Sequence, residues 1–237
     1  MIEPEPSTRD KLIDSAARLF AERGLDSVSL AEIVRESGQR NTSAVQYHFG
    51  GRDDLLLAIL ERYVPILRAR RLELLAVADT SGSDVRAAAE AVVRPVTELA
   101  QRGWRERAYL QIGSELTATL DRAPRAVRAV LRKTAGFEAM ALLAERCPPL
   151  PPEIWAERSR LMYPFIGRAA ADRARRLDQL SPRAIAKDVL PDDRFVDNLV
   201  DMLLGAMTAP ATPHRSVRDR TARESADREK AVRERAS

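Results

Sequence analysis

Glycines stand at 24, 38, 50 and 51, each just after a stretch whose apolar residues recur at helical spacing. The first sixty residues must therefore form short helices with forced stops. The first segment, Thr8 to Arg23, is capped by Ser7 or Thr8 and gathers Leu12, Ile13, Ala16, Leu19 and Phe20 on one side. The second opens on Ser29 and Glu32, the S-x-x-E spacing in which each side chain satisfies an unpaired amide of the first turn. Leu30, Ile33 and Val34 form its stripe. Only Gly38, Gln39 and Arg40 then precede Asn41, Thr42 and Ser43, any of which can cap a third helix running from Thr42 to Phe49. The order is helix, tight turn, helix.

So short a third helix cannot stand alone in water, and Val45 and Phe49, on one side of it, are the anchors the spacing predicts. Its other face is small and polar. No acidic residue occurs from Ser37 to Arg52, so a phosphate backbone can approach this segment without repulsion. A fourth helix starts at Asp53 and Asp54, buries Leu56, Ile59, Leu60, Tyr63 and Val64, and is expected to run on to Arg71 as a connector.

Beyond residue 80 the helical patterns lengthen: 84 to 102, 105 to 120, 124 to 146, 153 to 179 and 192 to 208. Pro124 and Pro182 fit first turns, residues 147–152 read as a non-helical crossing, and Pro95 and Pro164 predict kinks or breaks inside helices. With no strand pattern anywhere, the chain reads as all-α: an amino-terminal helix-turn-helix domain (1–52), a helical domain (53–209, with 53–71 as connecting helix) and a charged, disordered tail (210–237). Residues 214–237 carry 8 basic and 5 acidic groups, so most of the net charge of +4 resides there, and a solvated extension explains it as well as contact with DNA flanks.

Several function classes fall away on composition. One cysteine, Cys147, gives no disulfide framework, and two histidines, His48 and His214, give no His-rich metal cage. No Gly-rich phosphate loop or GxSxG elbow is present, so neither enzyme nor cofactor is expected. The longest uncharged run, Met202 to Pro213, is too short for a membrane span, and the acidic, proline-bearing start does not read as a secretory signal, which predicts a soluble cytoplasmic protein.

Three stretches, TRDKLIDSAARLFAERG, SVSLAEIVRESG and SAVQYHFGGRDDLL, taken in order and at this spacing, resemble the amino-terminal domain of the TetR family of transcriptional regulators. The likeness covers about a quarter of the chain. One departure is the nine residues between Gly38 and His48 where the family commonly has eight, so that Arg40, Asn41 or Thr42 fills the first recognition position. Carried over, the resemblance implies that Thr42, Ser43 and Gln46 face the major groove, where a glutamine can read an adenine edge. It places Tyr47, Ser29 and Arg52 against phosphates.

For the larger domain the resemblance is one of layout. It implies a homodimer paired through the last two long helices, with Met162, Phe165, Ile166, Ala169, Phe195, Leu199, Val200, Leu203 and Met207 at a twofold seam, although the same spacing also suits ordinary core. It also implies a small apolar effector with one polar handle, held among Trp104, Tyr109, Gln111, Phe137, Met140, Trp155 and Tyr163, with Glu115 nearby and Pro164 as a hinge. The expected function is that of a repressor released from a palindromic DNA operator by that effector. The alternative is a constitutive DNA-binding or architectural protein without one.

Overall fold

The computed structural model describes residues 6–41, 43–82 and 84–212, and every regular element among them is helical. Four short helices make a head: α1 (Thr8–Arg23), α2 (Leu30–Glu36), α3 (Ser43–Phe49) and α4 (Arg52–Glu61). Eight make a body: α5 (Val64–Thr80), α6 (Val85–Ala100), α7 (Trp104–Ala118), α8 (Arg125–Arg132), α9 (Gly136–Arg146), α10 (Pro152–Gln179), α11 (Pro182–Asp188) and α12 (Asp192–Thr208).

Local chemistry sets the head. The Ser7 hydroxyl accepts the Asp10 amide at the start of α1. Ser29 and Glu32 form the reciprocal cap of α2, in which the Ser29 amide donates to the Glu32 carboxylate at 2.9 Å. Gly38, at φ 74°, lets the chain reverse so that the Gln39 amide donates back to the Val34 carbonyl and closes α2. Asn41 caps α3 by accepting the Ser43 amide at 2.9 Å.

Two of the expected helices are broken. The connector expected over 53–71 divides at Arg62 and Tyr63, because Pro65 at the second position of α5 has no amide to continue α4, and α5 then runs on to Thr80. The segment 124–146 divides at Lys133–Ala135, where Ala135 takes φ 60°. Pro124 lies one residue before α8, as its cap. Pro95 and Pro164, in contrast, break nothing: α6 and α10 continue through them.

Two apolar clusters hold the molecule together. The first joins the head to α7, α8 and the far end of α10; Leu12, Phe20, Ile33, Val45, Leu55, Ile59 and Leu60 are almost completely buried in it, together with Ile112 of α7. The second joins α6, α9, α10 and α12 around Val93, Leu143, Leu199, Leu203 and Met207. Between them runs α7, packed on α1 along one side and on α10 along the other. No helix among the described residues is long and apolar enough to cross a membrane, and no cluster of candidate metal ligands occurs among them. The charged-tail expectation falls almost wholly on residues 213–237, outside the described residues.

Candidate nucleic-acid interface and internal cavity

Helix α3 has one fully buried side chain, Val45, seated against the cluster of α1, α2 and α4. Phe49, the other expected anchor, is half-buried and packs against the margin of the same cluster, with the Arg9 guanidinium 5.1 Å over its ring. Ser43, Gln46 and Tyr47 point away from that core, and Tyr47 is 86% exposed. His48 is half-buried and edge-on to Tyr47. Arg40 and Asn41 lie exposed on the turn, beside Gly38 and Thr8, in a shallow depression that Ser43, Tyr47 and His48 also line. Thr42 lies outside the described residues.

The two remaining head residues are committed inward. The Ser29 hydroxyl is exposed, but it accepts the Glu32 amide and donates to the Glu32 carboxylate at 2.7 Å. Those bonds, together with the Ser29 amide, hold the Glu32 carboxyl below the ordinary carboxylate range. Arg52 was expected against a phosphate. The structure corrects this: its guanidinium donates to the Leu25 carbonyl and lies 5.0 Å over the buried Phe20 ring, closing the head from within. The amide of Leu25 donates to the Glu115 carboxylate of α7 at 3.2 Å, so one residue ties Arg52 to the body. Asp14 makes a second tie, pairing with Arg62 at 3.0 Å and Arg105 at 2.6 Å.

Inside the body, α5, α6, α7 and α10, with the turn between α8 and α9, surround a cavity with about 60 Å³ of free space. Tyr109 and Tyr163, expected there, line it, with Ser114, Thr117, Thr134 and Arg71. Tyr109 is buried, and loss of solvent pushes its phenol well above the usual tyrosine range. Phe137 and Met140 line a separate outer cleft of about 590 Å³, to which Tyr163 and Thr117 also belong. Trp104 and Gln111 face neither space. They line a cleft against α1, and Trp104 stacks under Arg18 at 4.4 Å. Trp155 packs on the second cluster, and Glu115 serves the head.

The seam expected on α10 and α12 is also revised. Ile166, Leu199, Val200, Leu203 and Met207 are all buried against α6 and α9 of the same chain. Met162, Ala169 and Phe195 are half-buried at the margin of that core. The apolar groups left outward are Leu161 (50% exposed), Phe165 (36%) and Met202 (47%), with Asn198 and Gly205 one turn to either side of Met202.

Comparison with known proteins bears on this geometry at three levels. Residues 12–59, the span from α1 into α4, match the family model of bacterial regulatory proteins, tetR family. The HTH-type transcriptional regulator BetI of Brucella canis is 41% identical over 59 residues, which is 25% of this chain and 29% of that protein. The chain thus spans less than a third of the length of the curated relatives it matches. Among solved structures, the probable transcriptional regulatory protein RHA5900 superposes with a TM-score of 0.53 at 20% identity, over 85% of this chain and 100% of that one. AmtR of Mycobacterium smegmatis gives 0.53 at 23% identity, over 89% and 91%. Residues 12–59 thus carry the amino-terminal domain that this family model describes. At these identities the solved structures establish the fold of head and body together, while the sequence likeness to BetI extends over a quarter of the chain. BetI is a transcriptional regulator, and RHA5900 is described as a probable one.

Two residues that matter in the body escaped the sequence reading. Arg71 sits in the run Arg68 to Arg71, which looks solvated, but it falls one turn after Leu67 and one before Leu74 and Leu75, on the buried stripe of α5. Gly136 looked unremarkable between apolar neighbours, yet the Tyr163 hydroxyl occupies the space beside it, where a Cβ at 136 would collide with that oxygen.

Proposed function

We propose that the protein is a homodimeric DNA-binding transcriptional regulator that holds a palindromic operator and releases it when a small molecule fills the body cavity. The observation that carries the reading is the exposed polar face of α3, with Ser43, Gln46 and Tyr47 outward and Val45 fully buried behind them. Ser43 and Gln46 read base edges, and Tyr47 with Arg40 contacts the backbone. One such helix covers too few base pairs for specificity, which supports two copies about one DNA turn, roughly 34 Å, apart. The outward Leu161, Phe165 and Met202 support pairing through α10 and α12.

Release needs a physical link between cavity and head, and α7 supplies one. Tyr109, Leu110, Gly113, Ser114 and Thr117 face the cavity from this helix. Arg105 and Glu115 of the same helix hold Asp14 and the Leu25 amide of the head. A ligand that widens the cavity displaces α7, and the two head contacts move with it; the coupling equals the difference in ligand affinity between the two positions.

A second reading is favoured by one observation. Free space of about 60 Å³ is far below the roughly 300 Å³ at which drug-sized ligand sites begin, which suits a constitutive binder with no effector. Footprinting on the DNA flanking the protein's own gene, repeated with extracted metabolites, decides between them. The regulator protects two half-sites and loses protection with one of the extracts. A constitutive binder keeps its footprint throughout, and a chain that protects nothing at low salt is neither.

A further inference from the structure

Among the described residues that line the cavity, Arg71 is the one charged side chain. Arg71 is 3% exposed; its Nη1 donates to the Thr134 carbonyl at 2.8 Å, while its Nε is buried without a partner. The cavity walls contain no aspartate or glutamate. Arginine keeps its charge in a protein interior, and a buried cation without a counter-ion is costly to maintain. An anion delivered by a ligand removes that cost, and a planar guanidinium matches a carboxylate in shape and donor spacing. Tyr109 and Ser114 add hydroxyls to the same wall.

Size then limits what enters. The free space of about 60 Å³ admits a carboxylate group but not the rest of a molecule, and the tail must lead toward the outer cleft. Tyr163 stands between the two spaces, lining both, with its ring stacked on Phe137 at 5.7 Å and its hydroxyl in the gap left by Gly136. Beyond it lie the apolar Leu120, Phe137, Met140 and Pro164, with Arg122 and Arg160 also on the cleft wall.

We propose that the body binds an aliphatic carboxylic acid, with Arg71 receiving the carboxylate, Tyr163 acting as the movable partition and the chain lying in the outer cleft. The proposal rests on the reading of this cavity as the effector site and makes the polar handle expected from sequence an anionic one.

Isothermal titration calorimetry of the full chain with octanoate, 1-octanol and octyltrimethylammonium tests it. Octanoate is expected to bind at least tenfold more tightly than the alcohol, with the cation not bound. Arg71→Met, close in length and uncharged, is expected to lose at least tenfold for octanoate while keeping its affinity for 1-octanol and a cooperative thermal melt. The proposal is overturned by equal affinity for acid and alcohol, by an Arg71→Met chain that binds octanoate as the parent does, or by no binding of octanoate. If Arg71→Met does not fold, the comparison of acid with alcohol on the parent chain decides alone. Retardation of the footprinted DNA, measured in parallel, separates the two levels of the account. Octanoate bound through Arg71 with DNA affinity unchanged upholds the anion site and removes the effector role, whereas equal release by 1-octanol and octanoate keeps the effector role and removes the anion site.

Discussion

In the head, the polar groups that matter face water and apolar ones hold them from behind: Val45 is buried so that Gln46 and Tyr47 can stand out. In the body the arrangement is inverted, since Arg71 is the enclosed group and the apolar residues form its container. The head surface is complete without a partner because water solvates it. The cavity is not, because a buried charge lacks solvent and counter-ion alike. An exposed surface can therefore be rigid and built from short capped helices, while a buried charge stays costly until something pairs with it.

The largest expected effect probes whether the two regions are one cooperative unit. Phe20→Ala removes a ring that is 1% exposed and lies beneath Arg52, and is expected to cost about 3 to 5 kcal/mol. Because the head cluster continues into α7 and α8, denaturant should lower a single transition; a separate early transition of the head alone would break the claim of a shared core. Next in size is Gln46→Ala, expected to cost about 1 to 3 kcal/mol at particular operator positions, with stability changed by less than about 0.5 kcal/mol. Binding measured on operator variants checks the first value, and a melt checks the second.

Arg52→Ala sharpens the contrast between outward and inward groups. It is expected to reduce stability by about 1 to 2 kcal/mol, through the lost bond to the Leu25 carbonyl and the lost ring contact, and to leave the salt dependence of DNA binding unchanged. A slope reduced by about 1 would return Arg52 to the phosphate backbone. The smallest effect is at Glu32. Its carboxyl titrates below the ordinary range because Ser29 donates to the charged form. The α2 cap therefore contributes fully above the unfolded-state pKa and is lost as pH falls through the depressed folded value. Carboxyl NMR titration should show that low midpoint, and Ser29→Ala should move it up.

The sequence disclosed the head well because each of its helices carries its own punctuation. The Ser29–Glu32 cap, the stop at Gly38 and the isolated Val45 are local signals, and local signals survive folding. Arg52 was misread since a basic residue at a helix start looks the same whether it turns outward or lies back over Phe20; only tertiary packing decides. On α10 and α12 the apolar stripe was found but given to the wrong neighbour. Periodicity shows that Ile166, Leu199 and Leu203 share a side, not whether that side meets α6 and α9 or a second subunit. The division at Arg62 had its sign in Pro65, whereas the one at Ala135 has only a left-handed residue that no composition rule marks. Arg71 was hidden by its charge, because a run of arginines on a helix is normally solvated.

The central claim, that the outward face of α3 reads DNA, is tested most directly by selecting bound sequences from a randomised duplex pool with the parent chain and with Gln46→Ala. The parent should enrich a two-half-site sequence whose halves lie about ten base pairs apart, and Gln46→Ala should relax the preference at one symmetrical pair of positions while leaving the spacing intact. Identical enriched sequences from both proteins, or no enrichment by either at low salt, would contradict the account.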